Sequence, residues 1–176
     1  MEHIRESIEI YRSPGEVFAF LRQIEPRLRL SPGYEVLNFT KLTPGPIQKG
    51  SHYRVRIKRE DEVIEYEGMV TDFIENELIE TQDISGRLRV RIILSKTERG
   101  TLLTHDEEFS VRGDVIYQEE DDSHLPFWKR VLRRLIELES VRIDEHQRRI
   151  EEIKSALRKN LKEWLKRIKA ELESAT

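Results

Sequence analysis

Ile4, Ile8 and Ile10 alternate with polar residues, the mark of a strand with one face buried. Ser13-Pro14-Gly15-Glu16 then reads as a helix start, with a capping serine, proline at the first helical position and Glu16 completing a capping box. Val17-Phe18-Ala19-Phe20-Leu21 supplies the apolar face of that helix, and Pro26 and Pro32-Gly33 keep it short. From Tyr34 to Val111 the period is two. Leu37 and Phe39 share one face; Tyr53, Val55 and Ile57 alternate with His52, Arg54, Arg56 and Lys58. Ile64, Tyr66, Gly68 and Val70 follow, then Leu88, Val90, Ile92 and Leu94, opposed to Arg87, Arg89 and Arg91. Leu103, Phe109 and Val111 share a face with His105 and Glu107. Turn residues fall between these runs at Pro44-Gly45-Pro46, Glu60-Asp61, Ser85-Gly86 and Arg99-Gly100, as an antiparallel meander requires.

The period changes after the acidic stretch Glu119-Glu120-Asp121-Asp122. No glycine or proline follows Pro126, and Phe127, Val131, Leu135 and Leu138 keep helical spacing. A sheet with one apolar face has to be covered. The spacing predicts a covering helix that begins between Ser123 and Trp128. The expected fold is therefore α+β: a strand, a short helix pair, about six more strands, and a long helix gripped by the curved sheet. A ligand-sized space would lie between helix and sheet.

Beyond Ser140 a second seam appears. Ile143, His146, Ile150, Ile153, Leu157, Leu161, Trp164, Ile168 and Leu172 recur at three- and four-residue steps, backed by many Lys, Arg and Glu. This divides the chain into a domain over 1–140 and an amphipathic helical extension over 141–176. The expected cover for the seam is a second copy of the chain, giving a homodimer through residues 143–172. Folding back on its own domain and binding another protein are the alternatives. Glutamates on the polar face argue against a membrane surface.

Composition narrows the class. Charged residues make up 37% of the chain, against ~25% in ordinary soluble proteins. Only Asn38, Asn76 and Asn160 represent asparagine, a balance that fits a thermophilic source, as surface-rich helices also would. The absence of cysteine excludes a disulfide framework and a thiolate zinc site. No apolar run nears the ~18 residues of a membrane span, and the start is polar, so a soluble cytoplasmic protein is the expectation. The net charge of -3 gives no general reason to expect nucleic acid as partner.

Taken in order, these segments resemble the START-like (SRPBCC) superfamily, in particular its polyketide cyclase/dehydrase and lipid-transport group. A first strand leads into Ser13-Pro14-Gly15-Glu16-Val17-Phe18-Ala19-Phe20-Leu21. Ser31-Pro32-Gly33 then sits where the family often has tryptophan and proline. Gly50-Ser51 opens a strand after the Pro-Gly loop, and Gly100-Thr101 opens the last, followed by Leu103 and Glu107. The resemblance covers residues 1–140 and implies a helix-grip fold around a hydrophobic ligand, a lipid, isoprenoid, quinone or polyketide. It departs from the family at Leu30, which replaces a tryptophan, and in continuing to Thr176.

Candidate chemistry is sparse. His105 and Glu107 lie two apart on one strand and so share a face. They would serve as an acid/base pair or a ligand hydrogen-bonding pair, or else satisfy each other or a nearby tyrosine. Tyr53 and Tyr66 fall on the inner faces of neighbouring strands, where a phenol suits a ligand with a few oxygens and a core equally. The expected ligand-binding set is Tyr53, Tyr66, Val90, Ile92, Leu103 and His105. Gly68, in mid-strand, marks a bulge or bend. The basic stripes read as a solvated face balanced by Glu65 and Glu67. His3, His52, His105, His124 and His146 are scattered, and neither a glycine-rich phosphate loop nor a Ser or Cys nucleophile motif occurs, so no metal or cofactor is expected. Three functions fit: a carrier of a hydrophobic small molecule, a cyclase or dehydratase working through His105 and Glu107, or an interaction module built on the C-terminal helix.

Overall fold

The computed structural model describes residues 2–59, 61–109 and 143–174. The elements run β1 (Glu2–Ile10), α1 (Pro14–Leu21), α2 (Ile24–Arg29), β2 (Glu35–Lys41), β3 (His52–Arg59), β4 (Glu62–Ile74), β5 (Leu78–Asp83), β6 (Leu88–Lys96), β7 (Thr101–Phe109) and α3 (Ile143–Ser174). The strands form one curved antiparallel sheet in the order β1-β7-β6-β5-β4-β3-β2. Each neighbouring pair from β2 to β7 is a hairpin. Only β1 joins out of sequence, so α1 and α2 carry the chain from one edge of the sheet to the other.

Helix α1 starts as its sequence dictates. Ser13 Oγ accepts the Glu16 N–H at 3.4 Å, and Glu16 Oε2 accepts the Ser13 N–H at 2.9 Å. The Ser13 hydroxyl also donates to Glu16 Oε2 at 2.6 Å, and these hydroxyl and N–H bonds to the carboxylate pull the Glu16 carboxyl below its usual pKa range. Pro26 stands in the first turn of α2, where a missing N–H costs no helical hydrogen bond.

Two bulges correct the simple alternation. One between Val36 and Asn38 resets the phase of β2, so Val36 is buried while Leu37 is exposed. Another between Val70 and Asp72 brings Phe73 to the inner face of β4, where it meets Phe18 edge-on at 5.2 Å. Gly68 is not a bulge. It pairs with Tyr53 across the sheet, and a Cβ on it would lie 2.5 Å from the Tyr53 ring. The glycine exists to let that ring lie flat over β4.

The outer face is ionic, as the stripes implied. Arg54 Nε donates to Glu67 at 2.9 Å, Arg91 Nη2 donates to Glu108 at 2.8 Å and to Asp106 at 3.2 Å, and Arg89 contacts Glu108. These pairs sit on facing strands; those of Glu67 and Glu108 are worth little individually because solvent screens them, whereas Asp106 is buried.

The helix held by the sheet is α3. Leu161, Trp164, Leu165, Ile168 and Leu172 join Ile4, Ile10, Phe18, Leu21, Ile92 and Leu103 in one core, and Ile150 and Ile153 are buried further up the same helix. Polar contacts stitch α3 along β1: Lys154 to Glu2 at 3.1 Å, Lys162 to Glu6 at 3.8 Å, Lys169 Nζ to the Glu9 carbonyl at 2.7 Å, and Glu173 to the Tyr11 N–H at 2.8 Å. The two elements run in the same direction and keep step. From Lys154 to Lys162 a helix advances about 12 Å, and from Glu2 to Glu6 a strand advances about 13 Å.

This corrects the reading of the C-terminal segment. The seam assigned to a homodimer through 143–172 is covered by the domain's own sheet, so the surface expected to pair two copies is already occupied. The division at residue 140 separates residues that share one core. The helix start expected between Ser123 and Trp128 lies outside the described residues.

Two outcomes follow. A chain ending at Ser140 should fail to give cooperative urea unfolding, because the concave face loses its cover; a folded, cooperatively melting 1–140 fragment would contradict this packing. Gly68→Ala should destabilise by about 1–3 kcal/mol, the usual cost of overpacking, and Tyr53→Ala in the same chain should return part of that loss.

Candidate functional site

The inner face of the sheet carries two groups of side chains. Register places Val90 opposite Glu107, Ile92 opposite His105, and Leu94 opposite Leu103. These belong to the core beneath α3. Tyr53 and Tyr66 belong to a second cluster with Val55, Ile57, Ile64 and Val70, beneath α2. The six residues singled out from sequence thus share one concave face but form two patches. Between them lies β5, whose inward positions are Ile79, Thr81 and Asp83.

His105 is 2% exposed. Its Nε2 lies 2.7 Å from Glu107 Oε1, and its ring meets Trp164 edge-to-face at 4.8 Å. The pair therefore satisfies itself, and the Trp164 indole seals the imidazole from the helix side. The indole N–H then donates to the Arg27 carbonyl at 2.8 Å. Through Trp164, helix α3 is tied to both β7 and α2.

Arg27 is the residue that pattern reading passed over. In α2, Ile24 and Arg27 stand three apart and so face the same way, and both are buried. Arg27 Nη1 donates to the Leu21 carbonyl at 3.0 Å, at the C-terminal end of α1, where a cation is favoured. Its Nε has no partner. Among the described residues no carboxylate pairs with it. Burial draws its pKa down, opposed by the neighbouring phenols of Tyr53, Tyr66 and Tyr34. An arginine stays protonated under such pressure, so among the described residues this is a buried cation without a counter-ion.

The tyrosines respond to the same environment. Burial raises the Tyr34 pKa, with Ser31 hydrogen bonding and Arg27 opposing and Glu107 reinforcing. Burial raises Tyr53, with Arg27 and a hydrogen bond to Thr81 opposing. Tyr66 is pushed well up, again by burial first. All three keep their hydroxyl protons near neutral pH and can donate. Tyr34 and Tyr66 lie deep in the fold yet keep part of their surface open. Leu88, Val90 and Glu107 on the concave face are also only half-buried. The signal that could have flagged Arg27 was its place on the apolar side of a six-residue helix.

Among the described residues no group of His, Asp or Glu is arranged to hold a metal, and no helix is long and apolar enough to cross a membrane.

No protein-family model and no curated protein matches the chain. Solved structures do. A polyketide-cyclase-like protein of Corynebacterium glutamicum, Cgl2372, is 21% identical, with a TM-score of 0.59 over 97% of this chain and 91% of its own. The di-domain ARO/CYC StfQ of the steffimycin biosynthetic pathway is 11% identical, with a TM-score of 0.64 over 98% of this chain and 50% of its own. Ara h 8.0201 is 12% identical, with a TM-score of 0.59 over 98% of each chain. At these identities the likeness is one of fold. The strand order, the helix pair after β1 and the long helix across the concave face give this chain the helix-grip fold that these structures share.

Proposed function

We propose that the protein binds a hydrophobic small molecule between the concave face of the sheet and α3. The observation that carries this is that Tyr34, Tyr66, Leu88 and Val90, packed against the two buried clusters, are themselves only half-buried. A helix packed for stability alone would fill such space, because protein interiors approach crystal density. Apolar walls from β6 and β7 and phenols from β3 and β4 suit a mainly apolar molecule with a few oxygens. The polyketide-cyclase-like and ARO/CYC neighbours share this fold, which supports a ligand space without selecting its occupant.

In this reading Tyr53, Tyr66, Val90, Ile92, Leu103 and His105 line or shape the site. His105 and Glu107 orient and seal it. A cyclase or dehydratase working through His105 has less support, because the imidazole already spends Nε2 on Glu107 and is closed off by Trp164. An interaction module built on the C-terminal seam has less still, since that seam is buried.

Val90→Trp tests the space itself. With the neutral fluorescent probe N-phenyl-1-naphthylamine, the variant should bind at least about tenfold more weakly while its unfolding midpoint holds or rises, as when a void is filled. Destabilisation by about 1–3 kcal/mol, with no probe binding to the parent protein, would mean the interior was already full. His105→Gln should move probe affinity by less than about tenfold, the scale of one hydrogen bond between neutral groups. A loss far beyond that would return the histidine to the centre of the chemistry.

A further inference from the structure

Among the described residues three arginines have a buried Nε without a partner: Arg27, Arg89 and Arg91. Arg89 and Arg91 lie on the outer face and spend their other nitrogens on Glu108 and Asp106. Arg27 differs. It is 3% exposed and points inward, and its one side-chain hydrogen bond among the described residues runs from Nη1 to a backbone carbonyl. That leaves Nε and Nη2, which form the side-on edge of the guanidinium. This edge presents two parallel N–H groups at the spacing of the two oxygens of a carboxylate.

Folded proteins seldom bury a charge that nothing balances, because removing an ion from water costs several kcal/mol even after relaxation. The helix end at Leu21 compensates only part of this. Among the described residues, what surrounds Arg27 is a set of donors, the phenols of Tyr34, Tyr53 and Tyr66. Glu107, the inward carboxylate of β7, is hydrogen-bonded to His105. A guanidinium edge among phenols is a site made of donors, and it is complete when an anion arrives.

We propose that the ligand is a hydrophobic carboxylate, with its alkyl or ring body against Leu88 and Val90, the half-buried inward residues of β6, and its carboxylate docked on the Nε–Nη2 edge of Arg27. This rests on the reading of the interior as a ligand site and adds the chemistry of the head group. The planar fork selects a carboxylate over an alcohol or an ammonium. The latter would place a second positive charge beside the first.

Calorimetric titration with dodecanoate and with dodecanol separates the parts. The parent protein should bind dodecanoate about ten- to a hundredfold tighter than dodecanol, the range of a charge-assisted pair. Arg27→Met should erase that preference while leaving dodecanol and N-phenyl-1-naphthylamine binding unchanged, and Arg27→Lys should restore part of it. Equal affinity for acid and alcohol in the parent protein would overturn the Arg27 assignment and leave the hydrophobic site standing. Binding of neither, together with no binding of the neutral probe, would remove the site and the assignment with it. Should Arg27→Met not fold, carboxyl-labelled dodecanoate in the parent protein gives the answer by carbon NMR. The bound carboxylate should titrate at lower pH than in water, because a guanidinium favours its charged form. A carboxylate that titrates at higher pH when bound sits in an apolar place away from Arg27, and the proposal fails.

Discussion

The packing of α3 across the concave face is the constraint on which the rest depends. Alternating strands make one side of the seven-stranded sheet apolar, and a surface of that kind cannot stay in water. Helix α3 covers it with Leu161, Trp164, Leu165, Ile168 and Leu172, each of which contributes on the order of 1.5–3 kcal/mol when fully buried. The step-matched polar contacts along β1 fix where the helix lies. They are mostly solvent-facing, so they set register more than stability.

Trp164 converts this packing into a site. One indole meets His105 on β7 with its ring and the Arg27 carbonyl on α2 with its N–H. It therefore closes one side of the interior and holds in place the backbone from which the Arg27 side chain departs. On the opposite side, Gly68 leaves room for the Tyr53 ring, which stacks on Phe39 at 5.7 Å. The interior is bounded by aromatic groups and lined by donors. Among the described residues, its electrostatic character comes from Arg27, which no carboxylate pairs, rather than from any strong pair.

Much of the fold was legible because it follows from period and punctuation. The capping box at Ser13 and Glu16, the hairpin turns and most strands came directly from residue types. Strand β5 was harder to see, since its inward residues are Ile79, Thr81 and Asp83, with one apolar side chain among them. The phase of β2 was misread at Leu37 because a bulge has no sequence mark of its own. The role of residues 143–172 was misassigned for a different reason. Periodicity shows that a helix has an apolar seam but not which surface covers it, and the chain offered an earlier helical run that met the sheet's need on paper. Site residues on strands were placed on the correct face by alternation alone. Arg27 was not, because the burial of a charged side chain on a short helix depends on tertiary neighbours, here Leu21, Trp164 and the tyrosines.

The central claim is that an internal space between α3 and the sheet accepts a hydrophobic molecule, with its head group at Arg27. Crystals grown with 12-bromododecanoate test this most directly, because bromine scatters anomalously and marks the tail. The account predicts a bromine peak beneath α3 near Leu88 and Val90, with carboxylate density against Arg27. A bromine peak confined to the outer face, with the interior filled by protein side chains, would contradict it.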